Sequence, residues 1–253
     1  MKCDGVIFDM DGVLVTNSAY CEAIKRTVEL VLWNKFRINK EITTEYIDEI
    51  KSLTGFNNDW DTSYALIELL GNNVTIDEFS QKVKLITPKR RKSTWYKKVK
   101  DIFQTFYLGD RLFQEIYSYV ASFKNKIGLI TTETLLIDIK VLDKLAQNYK
   151  LGIATSRPRF EALFAVKNLR LTPNYISEAL LIAKEDVIRE KPEPDPLLEV
   201  QRRMRAKKPI YVGDTVNDTV AAQKANMPCI FVGLKKLGDF QISEINKIKE
   251  ILL

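Results

Sequence analysis

The segment Val6-Ile7-Phe8-Asp9-Met10-Asp11-Gly12-Val13-Leu14 constrains the chain more than any other. A short apolar run of this kind reads as a buried strand. It delivers two aspartates, spaced i and i+2, to a point where a glycine lets the chain turn away. In an extended chain that spacing puts both carboxylates on one side. Two acids at the mouth of a sheet can share a divalent cation, or divide the roles of nucleophile and acid between them. A strand closed by an acidic turn has the same letters and stays open as the plain alternative for this segment alone. A calcium-binding EF-hand loop does not fit, because it needs its glycine at the sixth position and a late glutamate, and here the glycine is fourth.

Composition narrows the chemistry further. The sequence contains no histidine, which excludes Ser–His triads, histidine-ligated zinc and histidine phosphotransfer. Carboxylates, lysine, hydroxyls and a hard metal ion are what remain. The three cysteines, Cys3, Cys21 and Cys229, are widely spaced without a CxxC pair, which favours a reducing cytoplasm over disulfides or a zinc site. No apolar stretch approaches the ~18 residues of a membrane span, and Met1–Gly5 runs straight into the first strand, so no signal peptide and a cytoplasmic protein are expected. The net charge is +6, with basic clusters over Lys82–Lys100 and Arg202–Lys208. Such clusters can attract phosphorylated metabolites or nucleic acid. With acids nearby and no nucleic-acid module, they read as solvated faces, and nucleic acid is not the expected partner.

After Leu14 the pattern becomes helical over Tyr20–Trp33, Ile42–Leu53, Trp60–Leu70, Ile76–Ile86, Trp95–Phe106 and Leu112–Phe123, with breaks at Gly55, Gly71-Asn72-Asn73 and Pro88. From about Leu135 helices and strands alternate. Helices are expected at Leu135–Tyr149, Phe160–Leu169, Asp195–Arg205, Asn217–Ala225 and Ile242–Leu253. Strands are expected at Leu151–Thr155, Pro209–Gly213 and Cys229–Val232, with an extended piece near Tyr175–Ile182. Strands separated by helices of this length imply a doubly wound parallel sheet. The expectation is an α/β, Rossmann-like core over residues 1–16 and 130–253, with an α-helical domain inserted over 17–129.

Ligands of an open parallel sheet bind at the carboxyl ends of its strands, where Asp9 and Asp11 lie. The strand ending in Thr155 brings Thr155-Ser156-Arg157-Pro158 to the same edge; two hydroxyls at a helix start make a phosphate cradle or an ordinary helix cap. In Glu190-Lys191-Pro192 a lysine precedes a proline-spaced helix entry, which suits a lysine held over a charge but equally a capped helix start. Gly213-Asp214-Thr215-Val216-Asn217-Asp218 ends a strand and opens a helix. Asp214 and Asp218 can cap that helix, or join Asp9 in an acidic cluster that Mg²⁺ and Lys191 would neutralise.

Together, Asp9-Met10-Asp11-Gly12, Thr155, Lys191-Pro192 and Gly213–Asp218, in this order, resemble the motifs of the haloacid dehalogenase superfamily. The insert after the first motif resembles the cap of its phosphoglycolate-phosphatase-like branch, though it is longer than is usual there. The resemblance implies a phosphatase of a small phosphorylated metabolite. Asp9 would be the nucleophile and Asp11 the general acid and base, while Thr155 and Lys191 would hold phosphoryl oxygens. Mg²⁺ would be held by Asp9, the Asp11 carbonyl and Asp214, with Asp218 in support. Dehalogenases of the family usually lack the second aspartate, so Asp11 points to phosphoryl transfer. A phosphomutase uses the same pair and stays open, as does a non-catalytic binding or regulatory protein. For the substrate, Ser156 and Arg157 are candidate contacts beside the second motif. In the cap, Asn58 and Trp60 are candidates too, unless Asn58 or Asp59 caps a helix and Trp60 packs inside. The aromatic-rich cap helices could also bury a homodimer face.

Overall fold

Strand alternation divides the first motif's apolar residues between two faces. In the computed structural model, which describes residues 3–53, 58–75, 78, 91–235 and 237–253, Val6 and Phe8 enter one buried cluster and Ile7 another. The strands are β1 (Gly5–Phe8), β2 (Lys150–Ala154), β3 (Leu181–Ile182), β4 (Pro209–Gly213), β5 (Cys229–Val232) and β6 (Phe240–Ile242). The described helices are α1 (Ser18–Val31), α2 (Thr44–Ser52), α3 (Asp59–Gly71), α4 (Thr94–Tyr117), α5 (Ile139–Asn148), α6 (Arg159–Asn168), α7 (Asp195–Met204), α8 (Val216–Lys224) and α9 (Lys249–Leu252). The sheet order is β3-β2-β1-β4-β5-β6 and every pairing is parallel. Phe8 lies beside both Ile153 and Val212, so the first strand is central and its tip stands next to the tips of β2 and β4.

A parallel sheet must be covered on both faces. On one face Val6, Phe8, Ile153 and Val212 pack with Leu142 and Leu145 of α5 and Ala162 and Val166 of α6. On the other, Ile7, Ala154 and Tyr211 pack with Leu197, Val200 and Met204 of α7 and with Ala221 and Ala222 of α8. Full burial of one such aliphatic or aromatic side chain contributes about 1.5–3 kcal/mol, so the strand tips rest on a stiff support.

Contacts divide the chain into two compact units, Met1–Asn17 with Glu133–Leu253, and Ser18–Thr132. In the helical unit, Tyr20 of α1 stacks on Tyr107 of α4 with ring centroids 4.3 Å apart. Asp61 is fully buried and accepts from the Tyr96 hydroxyl at 2.6 Å and from Arg91 Nη2 at 2.5 Å.

Several elements differ from the expectations. The helices foreseen at Trp95–Phe106 and Leu112–Phe123 are one element, α4, kinked at Gly109 (φ 76°) and ended at Tyr117 by Ser118 in the left-handed region. A side chain at Gly109 would meet the backbone N of Gly128 at 2.8 Å, so the kink admits a close crossing of backbone. The helix foreseen over Ile242–Leu253 is instead the strand β6, a 3₁₀ turn over Ile245–Ile248 and the short α9. The extended piece near Tyr175–Ile182 shrinks to the two-residue β3 behind a 3₁₀ turn, and α5 starts at Ile139 rather than Leu135. The helix foreseen over Ile76–Ile86 and the breaks at Gly55 and Pro88 lie outside the described residues.

Candidate active site

Asp9 sits one residue beyond β1, and its N–H donates to the Val212 carbonyl at 2.8 Å. It is 7% exposed. Lys191 Nζ lies 2.7 Å from Asp9 Oδ1 and 2.7 Å from Asp218 Oδ1, and donates to the Tyr211 hydroxyl at 3.1 Å. That hydroxyl in turn donates to Asp218 Oδ1 at 2.7 Å. Asp218 Oδ2 accepts from the Thr215 hydroxyl at 2.6 Å and the Thr215 N–H at 3.0 Å, and its own N–H donates to Thr215 Oγ1 at 3.3 Å, closing a capping box at the start of α8. A carboxylate has about four lone-pair sites. Those of Asp218 are thus met by donors from Lys191, Tyr211 and Thr215.

Asp214 is different. Its Oδ1 is buried without a hydrogen-bond partner among the described residues. A Cβ added at Gly12 (φ 72°) would fall 2.1 Å from Asp214 Oδ2, so the glycine is both the turn residue and the space this carboxylate occupies. One oxygen from each of Asp9, Asp214 and Asp218 lies within 4.8 Å of the others.

Three clustered carboxylates face one ammonium, and the protonation balance follows. Burial pushes Asp9 up to about 7; the charge of Asp218 adds to that shift and Lys191 opposes it. Burial, then Asp9 and Asp218, push Asp214 up to about 8. For Asp218 burial works upward too, but Lys191 and the Thr215 and Tyr211 hydrogen bonds outweigh it and hold the carboxyl below its usual range. Burial works against the Lys191 ammonium, yet Asp218 and Asp9 hold it firmly protonated. A buried carboxylate oxygen lacking a donor, beside a second carboxylate forced toward its neutral form, fits a hard divalent cation bound through oxygens.

Asp11 lies two residues on, with its carboxylate on Arg157. Arg157 Nε donates to Asp11 Oδ2 at 2.9 Å and Nη2 to Oδ1 at 2.5 Å, a bidentate fork. Arg157 Nη1 donates to Glu133 Oε2 at 3.0 Å. The Thr155 hydroxyl, 2% exposed, accepts from the Arg157 N–H at 3.1 Å, which leaves its own proton to donate. Ser156 is exposed.

The core motif residues Asp9, Asp11, Thr155, Lys191, Asp214 and Asp218 therefore come together at the carboxyl edge of the sheet. Arg157 was expected to meet a substrate anion. Its guanidinium is instead 3% exposed and engaged by the chain's own carboxylates. Asn58 caps α3, accepting from the Trp60 N–H at 2.9 Å, and Trp60 is half-buried with Lys100 Nζ 3.7 Å from its ring centroid; both stand in the helical unit, and the segment before them lies outside the described residues. Two residues of the site were not anticipated. Tyr211 reads as one more apolar strand residue; its only signal is a polar tip on the face opposite Ile210 and Val212. Glu133 carries no sequence signal, being 24 residues from Arg157 in a stretch without a motif.

A family profile described as a haloacid dehalogenase-like hydrolase matches residues 3–226. Among curated proteins, the chain is similar to phosphoglycolate phosphatase of Yersinia pestis, 34% identical over 92 residues that make up 35% of this chain and 38% of that one. It is also similar to the Escherichia coli K12 phosphoglycolate phosphatase, 30% identical over 114 residues, 43% of this chain and 44% of that one. The chain thus spans less than half the length of these curated relatives. Among solved structures it shares its fold with phosphatase Tt82 from Thermococcus thioreducens (TM-score 0.71, 23% identity, 97% of both chains). It shares it also with a subfamily IA hydrolase of the same superfamily from Geobacter sulfurreducens (TM-score 0.58, 16% identity, 99% of this chain and 96% of that one).

Proposed function

The chain belongs to the haloacid dehalogenase-like hydrolases, and from that premise we propose that it is a Mg²⁺-dependent phosphatase of a small phosphorylated metabolite. The observation that carries this reading is the buried Asp9, held by Lys191 at 2.7 Å, with Asp214 Oδ1 left without a donor beside it. An Asp9 oxygen attacks phosphorus, the bond to the leaving oxygen breaks, and that oxygen takes a proton from Asp11, which enters this step protonated, with one of its two oxygens released from Arg157. Asp11 then takes a proton from the water that attacks the phosphoryl group on Asp9, releasing phosphate and restoring the carboxylate. The Lys191 ammonium and the Thr155 hydroxyl hold the phosphoryl oxygens, as phosphoryl transfer is mostly positioning and electrostatics.

Asp9, Asp214 and the Asp11 carbonyl would hold the cation. When bound, it supplies positive charge that keeps Asp9 and Asp214 ionised and balances the transferring phosphoryl group. Asp218, its oxygens already met by donors, acts by fixing Lys191.

The test is phosphate release from a panel of phosphorylated metabolites, starting with phosphoglycolate because the curated relatives carry that name, with and without Mg²⁺ and beside Asp9→Asn. Mg²⁺-dependent release that disappears in the variant supports the reading. Release requiring a bisphosphate activator would turn it into a phosphomutase. No release, and no phosphate trapped on Asp9, would sink it.

A further inference from the structure

The Asp11 carboxylate is placed by a closed ring of contacts within the core unit. Arg157 donates through two nitrogens to Asp11 and through the third to Glu133. Arg157 and Glu133 are each 3% exposed, so both charges are answered inside the protein rather than by water. The Arg157 backbone is pinned at both ends, its N–H on Thr155 Oγ1 and its carbonyl accepting from the Lys184 N–H at 3.0 Å. From Glu133 the ring continues through the backbone. The Thr16 N–H donates to the Thr134 carbonyl at 3.0 Å and the Leu136 N–H to the Leu14 carbonyl at 2.9 Å, with Val15 bridged to Leu135. The Val15 N–H donates to Met10 and the Val15 carbonyl accepts from Gly12, which returns to the Asp11 turn.

We propose that Glu133 is a positioning residue for the proton transfers of Asp11, acting through Arg157. Removing the Glu133 charge weakens the anchor of the guanidinium's third nitrogen, so Arg157 fixes the direction of the Asp11 carboxylate less tightly. This inference rests on the phosphatase reading above.

Leaving-group dependence separates positioning from a merely structural role. A 4-nitrophenolate departs without a proton, whereas an alkoxide needs one from Asp11. Glu133→Gln is expected to lower kcat/KM for an alkyl phosphate of the panel by about 10- to 100-fold; kcat/KM reports the step in which the leaving oxygen departs, and small misplacements of a catalytic group carry losses of that order. On 4-nitrophenyl phosphate the same variant should lose no more than about threefold in kcat/KM, whatever it loses in the shared hydrolysis of the phosphoryl group on Asp9. Glu133→Asp, which keeps the charge, should recover most of the alkyl phosphate rate; if Glu133→Gln does not fold, Arg157→Lys, which keeps a cation but removes the two-point fork on Asp11, carries the two-substrate comparison. Equal losses on both substrates, or no loss on either, would overturn the inference while leaving the phosphatase reading intact. An unmodified chain that releases no phosphate from either compound would overturn that reading and this inference with it.

Discussion

Asp61 in the helical unit and Asp214 in the core unit are both carboxylates with oxygens shut away from water, and they are satisfied in opposite ways. Asp61 meets a guanidinium and a phenol at hydrogen-bond distance, so its charge is answered by the chain itself. Asp214 has a buried oxygen with no donor and stands with Asp9 and Asp218 around a single lysine. A fold gains nothing from the second arrangement, because uncompensated buried charge is costly. Carboxylates gathered where the fold would rather not have them mark a place that chemistry maintains, while Asp61 marks a place that packing maintains.

The contrast can be tested from its strongest consequence downward. Asp9→Asn should lower phosphatase turnover by about 10⁴-fold or more, the scale of removing a nucleophile, while the metal-free protein unfolds at the same or higher urea concentration; a marked fall in stability would break the contrast. Lys191→Met leaves Asp9 and Asp218 without their cation and should reduce unfolding free energy by about 3–5 kcal/mol as well as abolish turnover, measured by urea titration beside the activity assay. Asp61→Ala should reduce stability by about 1.5–3 kcal/mol, yet the folded fraction should keep its rate on 4-nitrophenyl phosphate to within about threefold. A variant that stayed stable and lost its rate would reverse the roles assigned to the two acids.

The smallest effect is on pH. Asp9 and Asp214 are raised to about 7 and about 8, so between their unfolded values and these the native state holds protons that the unfolded chain has released. Metal-free stability is therefore highest at the acid side of this window and falls as pH rises through 7 to 8. The opposite contribution of Asp218, whose carboxyl is lowered, changes only below the usual carboxylate range. Thermal melts should drop by about 2–8 °C between pH 6 and 9 without metal. Added Mg²⁺ should raise the midpoint more at pH 9 than at pH 6. A uniform increase across pH would mean that the cation does not answer the Asp9–Asp214 charge.

What the sequence disclosed follows the same division. The places of Asp9, Thr155 and Asp214 at strand tips could be read because β1, β2 and β4 are strong apolar runs bounded by turn residues. β3 and β6, two and three residues long, carry no periodicity, and the apolar spacing after Ile242 imitates a helix. The Arg157–Glu133 pair joins residues 24 apart through a side chain, so local pattern has no access to it. Arg157 was visible as a cation near the site; only the fold reveals that its guanidinium faces the chain's own acids.

The central strand of the sheet precedes both of its neighbours in the sequence. Its backbone partners are Lys150 onward on one side and Pro209 onward on the other, so during synthesis β1 leaves the ribosome well before either strand that will flank it. The residues of the helical unit, Ser18–Thr132, all emerge in that interval. Asp9 is flanked on both sides only when β4, which leads into Asp214, arrives to complete the row of tips.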